Sequence, residues 1–250
     1  MVQPWQTGKV IRIMHETPTT RRFWIEVEGH PVFDFKPGQF VTLDLPIHEK
    51  PNKRWRSYSI ASWPDGTNVF ELVIVLLEGG LGTTYLFNEV EVGTELTFRG
   101  AIGVFSLPEH IDDKELFLIC TGTGIAPFRS MVNHIARNNI ARRNVHLIFG
   151  CRTKQDLLYY EELTKLTAEN ENIHYHPVLS REEWHGATGY VHQIYKEICS
   201  NGSYKDADGN LHVLPARFYL CGWKNMIDEA KKTIVELGYD KKAIHQEIYG

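Results

Sequence analysis

The sequence predicts two domains in tandem: an antiparallel β-barrel, then an α/β domain, doubly wound around a parallel five-stranded sheet. Three observations carry that expectation. Apolar and polar residues alternate in short, turn-bounded runs over the N-terminal part of the chain, the period of half-buried strands. Beyond Pro108, continuous apolar runs alternate with stretches of helical periodicity, the order of parallel strands joined by helices. The 250 residues, 42% hydrophobic and 12% aromatic, suffice for two cores of ordinary size. The boundary is expected near residues 108–114, giving domains over 1–108 and 109–250.

Six strands are expected in the first domain, at Lys9–Met14, Arg22–Val27, Gln39–Leu45, Ser57–Ala61, Val69–Leu77 and Glu95–Arg99. Pro37-Gly38, Pro64-Asp65-Gly66 and Val92-Gly93 punctuate them, and one helix interrupts them at Thr83–Asn88. In the second domain Glu115–Thr121 reads ELFLICT, apolar almost throughout, as a strand buried on both faces must be. A helix over Pro127–Arg137 follows, then Val145–Gly150, Asp156–Thr167, Ile173–Leu179, Gly189–Ile198, Ala216–Cys221, Met226–Leu237 and Ala243–Ile248, strand alternating with helix.

Bulk properties narrow the function classes. The formal net charge of -4 is mild, which argues against nucleic acid as the main partner. No apolar run is long enough to span a bilayer and Met1 to Lys9 holds no apolar core, so a soluble cytoplasmic protein is expected. Cys120, Cys151, Cys199 and Cys221 lie far apart, with no spacing suited to zinc or an iron–sulfur cluster. No metal site is expected, and any iron–sulfur partner must be a separate protein.

Four short stretches carry chemistry. Arg56-Ser57-Tyr58-Ser59 lies on a strand, so positions 56 and 58 share one face and 57 and 59 the other. Arg56 offers a cationic fork suited to a pyrophosphate, and Tyr58 a flat ring suited to a heteroaromatic plate. A barrel strand with a surface arginine and a packed tyrosine fits the same residues. Gly79-Gly80-Leu81-Gly82-Thr83-Thr84 then enters a helix, where glycines permit close backbone approach and free N–H groups suit an anion. A flexible turn with Thr83 as N-cap is the plain alternative.

Gly122-Thr123-Gly124-Ile125-Ala126-Pro127 follows a buried strand and opens a helix, with Pro127 as a favourable first residue and a helix dipole suited to pyrophosphate. It departs from G-x-G-x-x-G because Pro127 holds the third-glycine position. The second strand ends Gly150-Cys151-Arg152, with a cation where a strict NAD fingerprint carries an acid. Cys221-Gly222-Trp223-Lys224-Asn225-Met226 ends the fourth strand, where Cys221 also reads as a small packed residue before a turn.

In this order and spacing the stretches resemble the ferredoxin–NADP reductase superfamily, which carries R-x-Y-S, G-G-x-x-S/T, G-T-G-I-A-P and C-G-x-x-x-M. The resemblance implies bound FAD, with Arg56 and Ser57 among its contacts, Tyr58 stacked on the isoalloxazine and Ser59 near flavin N5. Gly80, Gly82 and Thr83 would cradle the pyrophosphate. Gly100-Ala101-Ile102-Gly103-Val104-Phe105 is similar to the closing G-P-x-G-x-F element, with Ala101 in place of proline. Thr123 and Gly124 would bind NADP(H). Ser180 and Arg181 would hold its 2′-phosphate and Tyr190 its adenine, although Thr188 replaces the usual lysine; Arg152 is a further candidate for the cofactor. The resemblance places Cys221 beside the nicotinamide. The ending Glu247-Ile248-Tyr249-Gly250 is similar to the plant-type E-x-Y plus one glycine, implying Tyr249 over the flavin and Glu247 near Ser59 and Cys221.

The resemblance thus implies a ferredoxin- or flavodoxin–NADP reductase, passing hydride from NADPH to flavin and single electrons to a separate carrier protein. An NADH-dependent reductase serving an oxygenase or a cytochrome, and an FAD-bearing electron-transfer subunit of a larger complex, are the alternatives. No carboxylate is expected to compete for the 2′-phosphate. Three further signals read as structural. Asp206-Ala207-Asp208-Gly209-Asn210 begins like a calcium loop, but Arg217 stands at its twelfth position. His174 and His176 share a strand face with no third ligand in sight. Lys50, Lys53, Arg54, Arg21 and Arg22 read as a solvated surface, with steering of an acidic carrier as the alternative.

Overall fold

The computed structural model describes residues 3–108, 113–140 and 143–249. Two compact units result: Met1–Leu107 with Ala126–His134, and Pro108–Ile125 with Ile135–Gly250. Residues 109–112, where the boundary was expected, lie outside the described residues, as does Gly250.

The first unit contains β1 (Gln6–Thr17), β2 (Thr20–Val27), β3 (Phe40–Asp44), β4 (Trp55–Ser59), β5 (Val69–Val75) and β6 (Glu95–Ile102). Their order is β4-β3-β6-β1-β2-β5, and each pairing is antiparallel. Burial follows the pleat. Phe23, Ile25 and Val27 point inward from β2 and meet Val41, Leu43, Phe70, Leu72 and Phe98 in one core. Just past β4, Ala61 N donates to Glu71 O of β5 at 2.8 Å, so the two outermost strands meet and the sheet closes on itself. The helix α1 (Leu81–Asn88) adds Leu86 and Phe87 to the same core.

In the second unit β7 (Glu115–Thr121), β8 (Val145–Cys151), β9 (Ile173–Leu179) and β10 (Ala187–Thr188) form one side of a parallel sheet. The small antiparallel hairpin β11 (Tyr204–Lys205) and β12 (Leu211–His212) stands apart from it. β13 (Ala216–Gly222) and β14 (Ile244–Ile248) complete the order β10-β9-β8-β7-β13-β14. The helices that follow β7 along the chain are α2 (Ile125–Arg137), whose residues 126–134 belong to the first unit, and α3 (Tyr160–Ala168), α4 (Val191–Asn201) and α5 (Lys224–Glu236) of the second. The sheet has six strands rather than the expected five, because β10 spans two residues and leaves no periodicity to read. α2 starts two residues before Pro127, since Gly122–Gly124 forms a 3-10 turn that runs straight into it. Proline is tolerated there because first-turn N–H groups have no partner inside the helix. α3 starts at Tyr160 rather than Asp156, because a capping box between Thr153 and Asp156 closes a separate 3-10 turn first.

The two strand histidines acquire a third imidazole. In register, Phe117, His146 and His174 lie side by side across β7, β8 and β9. His146 Nδ1 lies 3.3 Å from His176 Nε2, and His146 Nε2 lies 3.1 Å from Glu115 Oε2. Asn144 Nδ2 donates to Glu115 Oε1, which Arg143 also approaches at 3.1 Å. No group of three His, Cys, Asp or Glu side chains among the described residues is set to hold a metal ion. Burial first, and then neighbouring imidazoles, push both His146 and His176 down to about 4. Unfolding restores a value near 6.5, so the unfolded chain binds more protons as pH falls from about 6.5 to about 4. Stability contributed by the neutral imidazoles is therefore complete above that window and lost across it. Urea unfolding against pH should show that loss, and His176→Asn should shrink it by about 2 kcal/mol. An identical acid slope in the variant would remove His176 from the account.

Candidate functional site

In the first unit the Arg56 to Ser59 stretch is β4 itself. Arg56 lies against the start of α1: a Cβ built on Gly82 would sit 2.9 Å from Arg56 Cγ and 3.1 Å from Nε. Only glycine at 82 lets the guanidinium cross the helix end, where Gly80 caps the helix with no side-chain bond to its N–H groups. Arg56 Nη1 is anchored on the carbonyls of Lys53 and Trp55 at 3.0 and 2.8 Å. A fixed cation beside uncapped N–H groups suits a pyrophosphate. Thr83 also has a structural task. Its hydroxyl bonds Gly80 O and Leu77 N at 3.1 Å each, so it holds the loop closed and leaves only its backbone for a ligand.

Tyr58 is partly buried against the barrel core, and that burial pushes its phenol up to about 12, keeping it neutral. Ser57 pairs with Thr42 through their hydroxyls at 2.9 Å, whereas Ser59 is buried at the strand end. The cationic surface is smaller than the sequence suggested. Arg54 forks onto Asp44 at 2.8 and 2.5 Å, Arg22 binds Glu71 and Glu16, and Arg21 donates to Phe87 O at 2.7 Å. Of the five cations, Lys50 and Lys53 are left as exposed lysines.

In the second unit the carboxyl ends of β7 and β13 meet beneath the Gly122–Gly124 turn. A Cβ on Gly124 would lie 2.5 Å from Cys221 O and 2.8 Å from its carbonyl carbon, a contact only glycine allows. Thr123 sits on the same turn, half-exposed. Beside it the Thr121 hydroxyl is buried without a hydrogen-bond partner, which fits a site completed by a polar ligand. Cys221, Glu247 and Tyr249 come together. Cys221 is the register partner of Glu247, and Tyr249 N donates to Gly222 O at 2.9 Å. Burial, and then the Glu247 charge, hold the Cys221 thiol well above its usual range, with a partial offset from the Tyr249 hydroxyl. The thiol is therefore a neutral, packed group, suited to positioning a ring and not to nucleophilic attack.

Arg152, Ser180, Arg181 and Tyr190 gather at the ends of β8, β9 and β10. Ser180 Oγ donates to Cys151 O at 3.1 Å, Arg181 N to Arg152 O at 2.9 Å, and Gly189 N to Leu179 O at 2.8 Å. Both guanidiniums and the Tyr190 ring are exposed. One carboxylate stands beside them. Glu182 Oε2 accepts from Lys154 N at 2.8 Å, which brings an acid to the same strand ends despite the expectation that none would compete. The Asp206 loop closes on itself, its carboxylate accepting from Asp208 N, Asn210 N and His212 Nε2. Two buried charges were given no role by the motifs, Glu71 and Arg129. The signal was a carboxylate inside the apolar run of β5 and a guanidinium inside that of α2.

Comparison with known proteins agrees with this division of labour. The oxidoreductase FAD-binding domain family matches residues 7–107, and the oxidoreductase NAD-binding domain family matches residues 118–232. A ferredoxin–NADP reductase B of Sorangium cellulosum is 32% identical over 97% of this chain and 96% of its own length. The reductase subunit of a glycine betaine monooxygenase from Pseudomonas aeruginosa is 30% identical over 99% of this chain, which spans 66% of that protein. Among solved structures, a ferredoxin NADP+ reductase from Neisseria gonorrhoeae with bound FAD and NADP superposes with a TM-score of 0.78 at 25% identity, covering 98% of each chain. FAD and a nicotinamide dinucleotide are the cofactors of this fold. No helix among the described residues is long and apolar enough to cross a membrane.

Proposed function

The chain belongs to the ferredoxin–NADP reductase superfamily of FAD- and NAD(P)-dependent electron-transfer oxidoreductases, and from that premise we propose that it couples NADPH oxidation to a ferredoxin or flavodoxin. Bound FAD supplies the chemistry, joining two-electron exchange with nicotinamide to one-electron exchange with a carrier. The chain's own residues bind and align. Arg56, with the backbone at Gly80, Gly82 and Thr83, would hold the FAD pyrophosphate, and Tyr58 would stack on the ring; Ser57 and Ser59 face the other side of β4, and Ser59 would offer its hydroxyl to the ring nitrogen. Thr123 and Gly124 take the nicotinamide dinucleotide's pyrophosphate. Cys221, Glu247 and Tyr249, which lie together at the end of β13 and β14, would shape the nicotinamide pocket.

The gathering of Arg152, Ser180, Arg181 and Tyr190 carries the choice of NADPH: two exposed guanidiniums at one set of strand ends suit a 2′-phosphate. Four dispersed free cysteines favour a carrier that brings its own redox centre. The test is a spectrum and a ratio. The purified chain should be yellow and bleach with NADPH, and Arg181→Ala should cut kcat/KM for NADPH by about 10- to 100-fold while leaving NADH nearly unchanged. An equal loss with both coenzymes would reject the 2′-phosphate assignment.

A second reading is favoured by Glu182. A carboxylate at these strand ends suits the free 2′-hydroxyl of NADH, as in an NADH-dependent reductase component serving an oxygenase. Glu182→Gln separates the two, since it should weaken NADH only if the carboxylate binds ribose.

A further inference from the structure

We propose that Arg129 is a positioning residue for Ser59, acting through the chain segment that immediately follows β4. The inference deepens the function proposed above and rests on it.

Glu71 interrupts the apolar run of β5 and is 2% exposed. Two guanidiniums converge on its carboxylate. Arg22 forks onto it, Nε at 2.6 Å and Nη2 at 3.1 Å, and Arg129 Nη1 reaches it at 2.9 Å. The same Arg129 nitrogen donates to Ala61 O at 2.9 Å, and the guanidinium carbon lies 5.4 Å from the Trp63 ring centre. Glu71 N donates to Ser62 Oγ at 3.0 Å, while Ala61 N donates to Glu71 O and Ile60 N to Gln39 O. Residues 60–63, directly after Ser59, are thus held from three directions: by the Arg129 guanidinium, by the Glu71 backbone and by Gln39 O.

A stability role explains this poorly. Well-packed apolar residues usually replace a buried ion network at no loss, whereas a two-guanidinium clamp fixes direction as well as distance. The place fixed is the end of β4, where Ser59 is buried. Misplacing a reacting neighbour by about 1 Å costs up to about a hundredfold in rate.

The test uses Arg129→Met and the charge-keeping Arg129→Lys. In apoprotein, amide exchange at Ile60 and Ala61 should accelerate at least about tenfold in Arg129→Met, with β1 and β2 unchanged. In holoenzyme, flavin reduction by NADPH should slow about 10- to 100-fold while coenzyme KM stays within about twofold. The loss should not multiply with Ser59→Ala: the double variant should be no slower than Ser59→Ala alone. Arg129→Lys should recover part of the rate. If Arg129→Met does not fold, Arg129→Lys and Ser62→Ala carry the same exchange and rate measurements. Unchanged exchange at Ile60 and Ala61, or rate losses that multiply, would overturn the assignment. A wild-type protein that neither NADPH nor NADH reduces would instead sink the proposed function.

Discussion

Gly124→Ala should destabilise the protein by about 3 kcal/mol and remove coenzyme-dependent flavin reduction. The added methyl would stand 2.5 Å from Cys221 O and 2.8 Å from the carbonyl carbon, with Gly222 N at 3.0 Å. All three neighbours are backbone atoms of a strand end, so no rotamer change relieves the clash. The Gly122–Gly124 turn must lift or β13 must shift, and either movement spoils the cradle for the pyrophosphate. Because the clash lies within the second unit, FAD content should stay close to wild type. Urea unfolding, FAD stoichiometry and coenzyme KM test all three parts together. A loss below about 0.5 kcal/mol with normal KM would mean the turn has slack that the contact distances deny.

Tyr249→Ser should tighten oxidised coenzyme binding by about tenfold or more and lower kcat by a similar factor. If the ring covers the site that nicotinamide must enter, each binding event works against that cover. Its removal helps binding and hinders release of product. Tyr249 is held in place through its own backbone, donating from N to Gly222 O at 2.9 Å, so the chain around it should survive the change. Tyr249→Phe keeps the ring and should behave like wild type. Titration of oxidised enzyme with NADP+, followed by steady-state kinetics, reads both effects. Equal affinity in the serine variant and wild type would falsify the gating role.

Much of the architecture was legible before any coordinates. The alternation of β2, and the apolar runs of β5 and β7, are local facts: a few neighbouring residues reveal which faces are dry. Turn chemistry is local as well, so Gly80, Gly82 and Gly124 mark close approaches before the partner is known. β10 escaped because two residues carry no period. The start of α3 was misread because Thr153 and Asp156 close a box that ends before Tyr160.

The sequence by itself determined the class of fold, the order of the two nucleotide-binding motifs and the residue types available at each. Tertiary structure alone decided which charges remain available. It turned Arg22, Arg54 and Arg21 onto internal partners, set the Glu182 carboxylate on Lys154 N, and placed His146 beside His176. It joined Arg129 to Glu71 across 58 positions of chain. The reason is physical. Backbone conformation answers to neighbours within a few residues, whereas the partner of a buried charge is whichever group strand register and helix placement deliver.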